Sequence, residues 1–171
     1  MPNNYIEYRY FTKSYDYSKN KLITTANIFP ITSFDKNLRN TPIEVKALWD
    51  TGATLTFIKP ELKEQLKLSM VRTESSAVIA GVGGYVKADF TYASILLSKN
   101  FLIEYCPIYV VGFPVNVDII IGMDIINMGD FIVCNTENKT SFSFIVPALP
   151  SRTNFADNVN ILNRQTKDIK Q

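Results

Sequence analysis

Apolar and polar positions alternate over short runs along most of this chain, the period of half-buried strands rather than of long helices. The alternation is clearest before Asp50: Ile43, Val45, Ala47 and Trp49 fall on one face, Glu44, Lys46 and Leu48 on the other. Leu55–Ile58 returns as a second short strand, which predicts two strands joined through a tight turn with Asp50 at its apex. Upstream, Lys21–Ile31 is rich in β-branched residues and reads as a strand closed by the loop Asp35–Pro42. Tyr8–Phe11 predicts an edge strand within an N-terminal arm, residues 1–21, where Tyr5, Tyr8, Tyr10, Tyr15 and Tyr17 lie among charged residues. Downstream, Pro60 opens a short helix over Glu61–Leu66, with Leu62, Leu66 and Leu68 as its apolar side.

Val71–Ala80 is strand-like, and Gly81-Val82-Gly83-Gly84 marks a hairpin turn into Tyr85–Phe90 and then Ser94–Leu97. Phe101–Val111 is an apolar strand in which Pro107 predicts an edge or a bend. Val117–Gly122 is a further apolar strand. It leads into a short helix over Met123–Met128, with Asp124 as candidate cap and Gly129 as its end. Asp130–Asn135 and Thr140–Val146 predict a closing hairpin, and after Pro147 the chain turns polar. The expected fold class is all-β with one or two short helices: a domain over 22–147, an N-terminal arm or extra strand over 1–21, and a polar tail over 148–171.

Composition narrows the chemistry. At 171 residues the chain is large enough for one domain with a sizeable core. Eighteen Lys and Arg stand against sixteen Asp and Glu, so the net charge of +2 offers no electrostatic case for nucleic acid or an anionic membrane surface. There is no His, which removes Ser-His and Cys-His catalysis and argues against a zinc site; no cofactor or metal is expected. The glycines at 81–84 lack the spacing and the following helix of a phosphate-binding loop. Cys106 and Cys134 stand far apart and read as buried apolar residues in a reducing compartment rather than as a disulfide. The first residues lack the apolar core of a signal peptide, and no apolar run approaches a membrane span, so a soluble, cytoplasmic protein is expected.

The chemistry then centres on Asp50-Thr51-Gly52-Ala53. A carboxylate at the end of an apolar strand is costly to bury unless its charge is shared or hydrogen-bonded, and a Thr-Gly turn supplies close backbone and a hydroxyl. An ordinary Asx turn would use the same residue types. In its setting, followed by a helix, a glycine hairpin and Ile120-Ile121-Gly122 leading into a second helix, the segment resembles the signature of retropepsin-like, single-domain aspartic proteases over roughly 22–147.

That resemblance implies a closed β-barrel acting as a two-fold homodimer. Each chain would supply Asp50 to a dyad, because peptide hydrolysis without metal needs one group to take a proton and another to give one. It implies that Thr51 locks the two turns across the dimer and that Gly52 admits substrate or the partner turn. Val82, Gly83, Gly84 and Tyr85 would form the tip of a flap, and Ile120, Ile121 and Gly122 would thread behind the Asp50 turn. A polypeptide substrate would lie between Ala53 and the flap as an added strand, with Ile58, Val82 and Ile120 as candidate pocket walls. The dimer would form through terminal strands near Thr140–Val146, with Tyr5–Phe11. A catalytically silent dimer of the same fold, binding a peptide or serving assembly, is the competing expectation, ahead of an unrelated β-barrel binding protein.

Overall fold

The computed structural model describes residues 7–31, 42–70, 77–81 and 84–150. Its elements are β1 (Arg9–Ser14), β2 (Leu22–Pro30), β3 (Ile43–Trp49), β4 (Phe57–Ile58), α1 (Pro60–Gln65), β5 (Ala77–Gly81), β6 (Gly84–Ser98), β7 (Phe101–Val110), β8 (Ile119–Ile121), α2 (Met123–Ile126), β9 (Asp130–Thr136) and β10 (Lys139–Val146). The all-β expectation with two short helices holds. The expected loop at 35–41, the start of the strand at 71–76, the flap tip Val82 and Gly83, and the tail from Ser151 lie outside the described residues.

Strands β2-β3-β8-β4-β7-β6 follow one another in a sheet, and β2 pairs again with β6 from Asn27↔Leu96 to Pro30↔Ala93, which closes a barrel. Closure removes the open edges a sheet would otherwise expose. Val45 and Ala47, on the face that the alternation sets for β3, point inward and are buried, as are Ala26, Ile28, Ile58, Ile95, Ile108, Ile119 and Ile121 from the other strands. Each such isoleucine contributes roughly 1.5–3 kcal/mol by leaving water.

Three local features lie beyond the sequence reading. The strands either side of Asp50 do not pair with each other, because β8 lies between them, parallel to β3 and antiparallel to β4. Tyr85–Phe90 and Ser94–Leu97 are parts of one long strand, β6. The bend in β7 falls before Pro107: between the pairs Ala93↔Cys106 and Ile95↔Ile103 the strand carries one extra residue, and Tyr105 has φ +55°. Pro107 is tolerated because β4 pairs with β7 only at Tyr109 and Val110.

A second sheet, β1-β10-β9, lies against the barrel. Its β9–β10 turn places Glu137 and Asn138 consecutively at positive φ (51° and 60°), the twist a two-residue hairpin requires. Strand β10 is central, flanked by β1 and β9. The expected use of Thr140–Val146 as a pairing edge is therefore corrected, since both of its edges are occupied. Phe142 and Phe144 of β10, with Phe11 and Phe131, pack around Trp49 of β3. Such aromatic pairs add about 0.5–1.5 kcal/mol each beyond the area they bury. Among the described residues no helix is long and apolar enough to cross a membrane.

Candidate active site

Asp50 follows directly on β3, half-buried, with its backbone N–H donating to the Ile121 carbonyl at 3.0 Å. The chain turns at once. The Gly52 N–H donates to Asp50 Oδ1 at 2.9 Å and the Ala53 N–H to the Asp50 carbonyl at 3.1 Å, so the carboxylate caps its own turn. A Cβ at Gly52 would stand 3.2 Å from the same Oδ1, crowding the side chain that the turn presents. Thr51 and Gly52 are exposed and Ala53 half-buried.

Behind this turn sits a buried knot of hydrogen bonds. Thr56 is fully buried, and its Oγ1 donates to Asp124 Oδ1 at 2.7 Å while accepting the Gly122 N–H at 3.1 Å. Its backbone N–H donates to Asp124 Oδ2 at 2.8 Å. The N–H groups of Met123 and Asp124 reach back to the carbonyls of Ala53 and Thr54 at 2.8 and 3.1 Å. The start of α2 and the segment leaving Asp50 are thus one unit. Charge-assisted bonds of this kind are about twice as strong as neutral ones.

Asp124 does this work from inside α2. The N-cap is Gly122, so the expected capping role is corrected: the carboxylate bonds Thr56 and the Ile125 N–H. Gly122 has no room for a side chain, since a Cβ would overlap the Leu55 carbonyl and lie 2.9 Å from Ala53 O. The close neighbour is therefore the segment leaving the turn rather than the strand entering it.

The other residues singled out from the sequence divide by face. Ile120 is half-buried and pairs with Leu48 on one side and Phe57 on the other, a row of partly exposed apolar side chains beside Asp50. Ile121 and Ile58 point into the barrel and are fully buried, so in this chain they support the site and do not wall it. Gly84 pairs with Gly81 across the β5–β6 hairpin at φ +114°, a conformation that favours glycine, and Tyr85 beside it is 82% exposed. Val82 and Gly83 lie outside the described residues.

The two thiols differ. Cys106 is buried and its thiol is pushed up to about 12, first by burial and then by the nearby Asp124 charge, which makes it inert. Cys134 is exposed on β9, which corrects the expectation that both are buried. No group of His, Cys, Asp or Glu able to hold a metal ion occurs among the described residues. Leu48 and Thr56 did not stand out in the sequence. The only trace of Thr56 there is a hydroxyl at an inward position of an otherwise apolar strand.

Residues 39–128 match the family model described as "gag-polyprotein putative aspartyl protease". No curated protein matches the chain. Among solved structures it is similar to the EIAV protease complexed with the inhibitor HBY-793 (27% identity over 66% of this chain and 89% of that one, TM-score 0.46). It is similar also to a retropepsin-like aspartic protease from Rickettsia conorii (10%, 83% and 98%, TM-score 0.46). A third is the retroviral protease-like domain of Ddi1 from Leishmania major (20%, 63% and 86%, TM-score 0.38). With the family match spanning more than half of its length, and Asp50-Thr51-Gly52-Ala53 and Ile120-Ile121-Gly122 inside the matched segment, the chain belongs to the gag-polyprotein aspartyl protease family.

Proposed function

We propose that this chain is an aspartic endopeptidase that works as a two-fold homodimer with one Asp50 from each protomer. The observation that carries this reading is the Asp50 turn itself: a half-buried carboxylate held by its own Asx turn, on a base of β8 and α2. One carboxylate cannot serve as both base and acid. The sequence contains a single Asp-Thr-Gly, so a second copy is the economical source of the other group. Two such carboxylates about 3 Å apart share one proton, as in aspartic proteases generally. The ionised one takes a proton from water as it attacks the scissile carbonyl, and the protonated one gives its proton to the carbonyl oxygen. The proton belongs to the pair, so the dyad titrates as a unit.

The row Leu48, Ile120 and Phe57 supports binding of apolar side chains of an extended polypeptide, and the exposed Thr51 is available to bond across the two-fold. The β5–β6 hairpin, with Gly84 and Tyr85 near its tip, would cover the substrate as a flap. For the dimer, β9 is the better edge. The outer edge of β1 carries Arg9 and Lys13, which discourage strand addition, whereas Phe131–Thr136 in β9 has no charge and no proline.

The deciding experiment is cleavage of a peptide library by wild type and Asp50→Asn between about pH 4 and 7, with cut sites read by mass spectrometry. Cuts are expected with wild type alone, and the variant is expected to remain a folded dimer. A folded wild-type dimer that makes no Asp50-dependent cut would replace this reading with a silent peptide-binding module.

A further inference from the structure

The residue before Asp50 is held by a structure that lies wholly outside the segment matched to the family. Trp49 is 4% exposed and sits in a cage of four phenylalanines. Phe131 stacks on it at 5.5 Å and 15°, Phe144 and Phe142 tilt against it at 5.1 and 5.5 Å, and Phe11 closes the remaining side at 5.5 Å. The indole N–H donates to Thr24 Oγ1 at 3.0 Å, so the ring is fixed in direction as well as place. Three of the phenylalanines come from the β9–β10 hairpin. The fourth comes from the N-terminal arm, which enters as an edge strand.

The arm is strapped down well beyond the needs of an edge strand. The Tyr15 hydroxyl donates to the Ile23 carbonyl at 2.8 Å and accepts the Ile23 N–H at 2.9 Å. Tyr15 N–H bonds Thr140 O, Thr140 N–H bonds Tyr17 O, Lys19 N–H bonds Thr140 Oγ1, and Arg9 Nη1 reaches the Leu102 carbonyl. These bonds pin both ends of β1 and seat Phe11 between Trp49, Phe142 and Phe101.

We infer that β1 is a positioning element for the reaction, with Phe11 as its positioning residue: it closes the cage on Trp49 and so sets the end of β3 from which Asp50 turns. The route is short. Trp49 is paired with Leu22 on β2 and Ile121 on β8, and the Asp50 N–H bonds the Ile121 carbonyl. If the indole moves into a vacated Phe11 site, the carboxylate moves with it. A misplacement of about 1 Å in a reacting group can cost on the order of a hundredfold in rate.

This inference rests on Asp50 being the reacting group, so the test carries one readout that needs activity and one that does not. Trp49 is the chain's only tryptophan, and its emission reports the cage directly. Phe11→Ala, Phe11→Leu and the outward-facing control Tyr10→Ala (Tyr10 is 69% exposed) are compared with wild type at matched dimer fraction, below the unfolding transition of each. Phe11→Ala is expected to red-shift the emission and to lower kcat at least about tenfold, with KM within about twofold. Phe11→Leu should recover most of both, and Tyr10→Ala should change neither.

In parallel, amide hydrogen exchange should rise in Phe11→Ala over Trp49–Ala53 and stay at the wild-type level in β6 and β7. A shifted emission with unchanged kcat, or exchange that rises equally everywhere, overturns the inference. If wild type shows no Asp50-dependent cleavage, the protease reading fails by itself. The local exchange pattern alone then decides whether Phe11 sets the turn.

Discussion

Thr56 shows how much one buried hydroxyl can hold. It donates to Asp124 Oδ1 and accepts from Gly122, so replacing it with the nearly isosteric valine leaves the buried Gly122 amide without a partner and Asp124 Oδ1 with the Ile125 N–H alone. Stranding such an amide costs on the order of 1–3 kcal/mol, and the lost bond to a carboxylate adds to it. Thr56→Val is therefore expected to lower unfolding stability in denaturant by at least about 2 kcal/mol, and to cut peptide cleavage beyond the loss of folded protein. A variant of wild-type stability would mean that the Gly122 N–H finds another acceptor. None of this was legible in the sequence. A threonine in a strand looks like any β-branched residue, and an aspartate at a helix start has the same composition signal whether it caps the helix or, as here, bonds a distant strand.

Among the elements, strands were easier to read than their neighbours. The alternation in Ile43–Trp49 set the inward face correctly because β3 has one face in the barrel and one outside it, the condition under which a period of two carries information. The same information cannot say which strand lies beside which. The turn at Asp50 joins two strands as expected, yet the three residues of β8 lie between β3 and β4. The site was legible to the same degree: Asp50–Ala53 and Ile120–Gly122 stand out as motifs, while Leu48 and Thr56 acquire meaning only from their cross-strand partners. Gly122 is where these elements touch. Gly122→Ala is expected to push Leu55 and Ala53 away from α2, leaving the barrel folded with stability lowered by about 1–3 kcal/mol and cleavage lost. Thermal unfolding with peptide cleavage checks it. A fully active variant would show that the turn has slack the structure does not suggest.

For the molecule as a whole, two sheets with different edges decide how copies would meet. The barrel is closed, and the three-stranded sheet ends in β1, guarded by Arg9 and Lys13, and in β9, unguarded, with Val133 44% exposed. Val133→Lys places a cation on the unguarded edge, opposite its own copy if β9 strands pair about a two-fold. The dimer dissociation constant measured by sedimentation is expected to rise at least about tenfold, with the protomer still folded. An unchanged constant would move the interface elsewhere.

The pairing of β1 with β10 also sets an order of events during synthesis. Thr12 meets Ser143 across 131 positions of chain, so β1 is made long before β10 and has no partner strand until then. Contacts that distant in sequence form late, because the loop they close must be ordered before they return any free energy. The barrel strands have nearer partners, yet the cage about Trp49 needs its last phenylalanines from β10. A nascent chain thus carries its Asp50 turn without the full aromatic brace until β10 has been made.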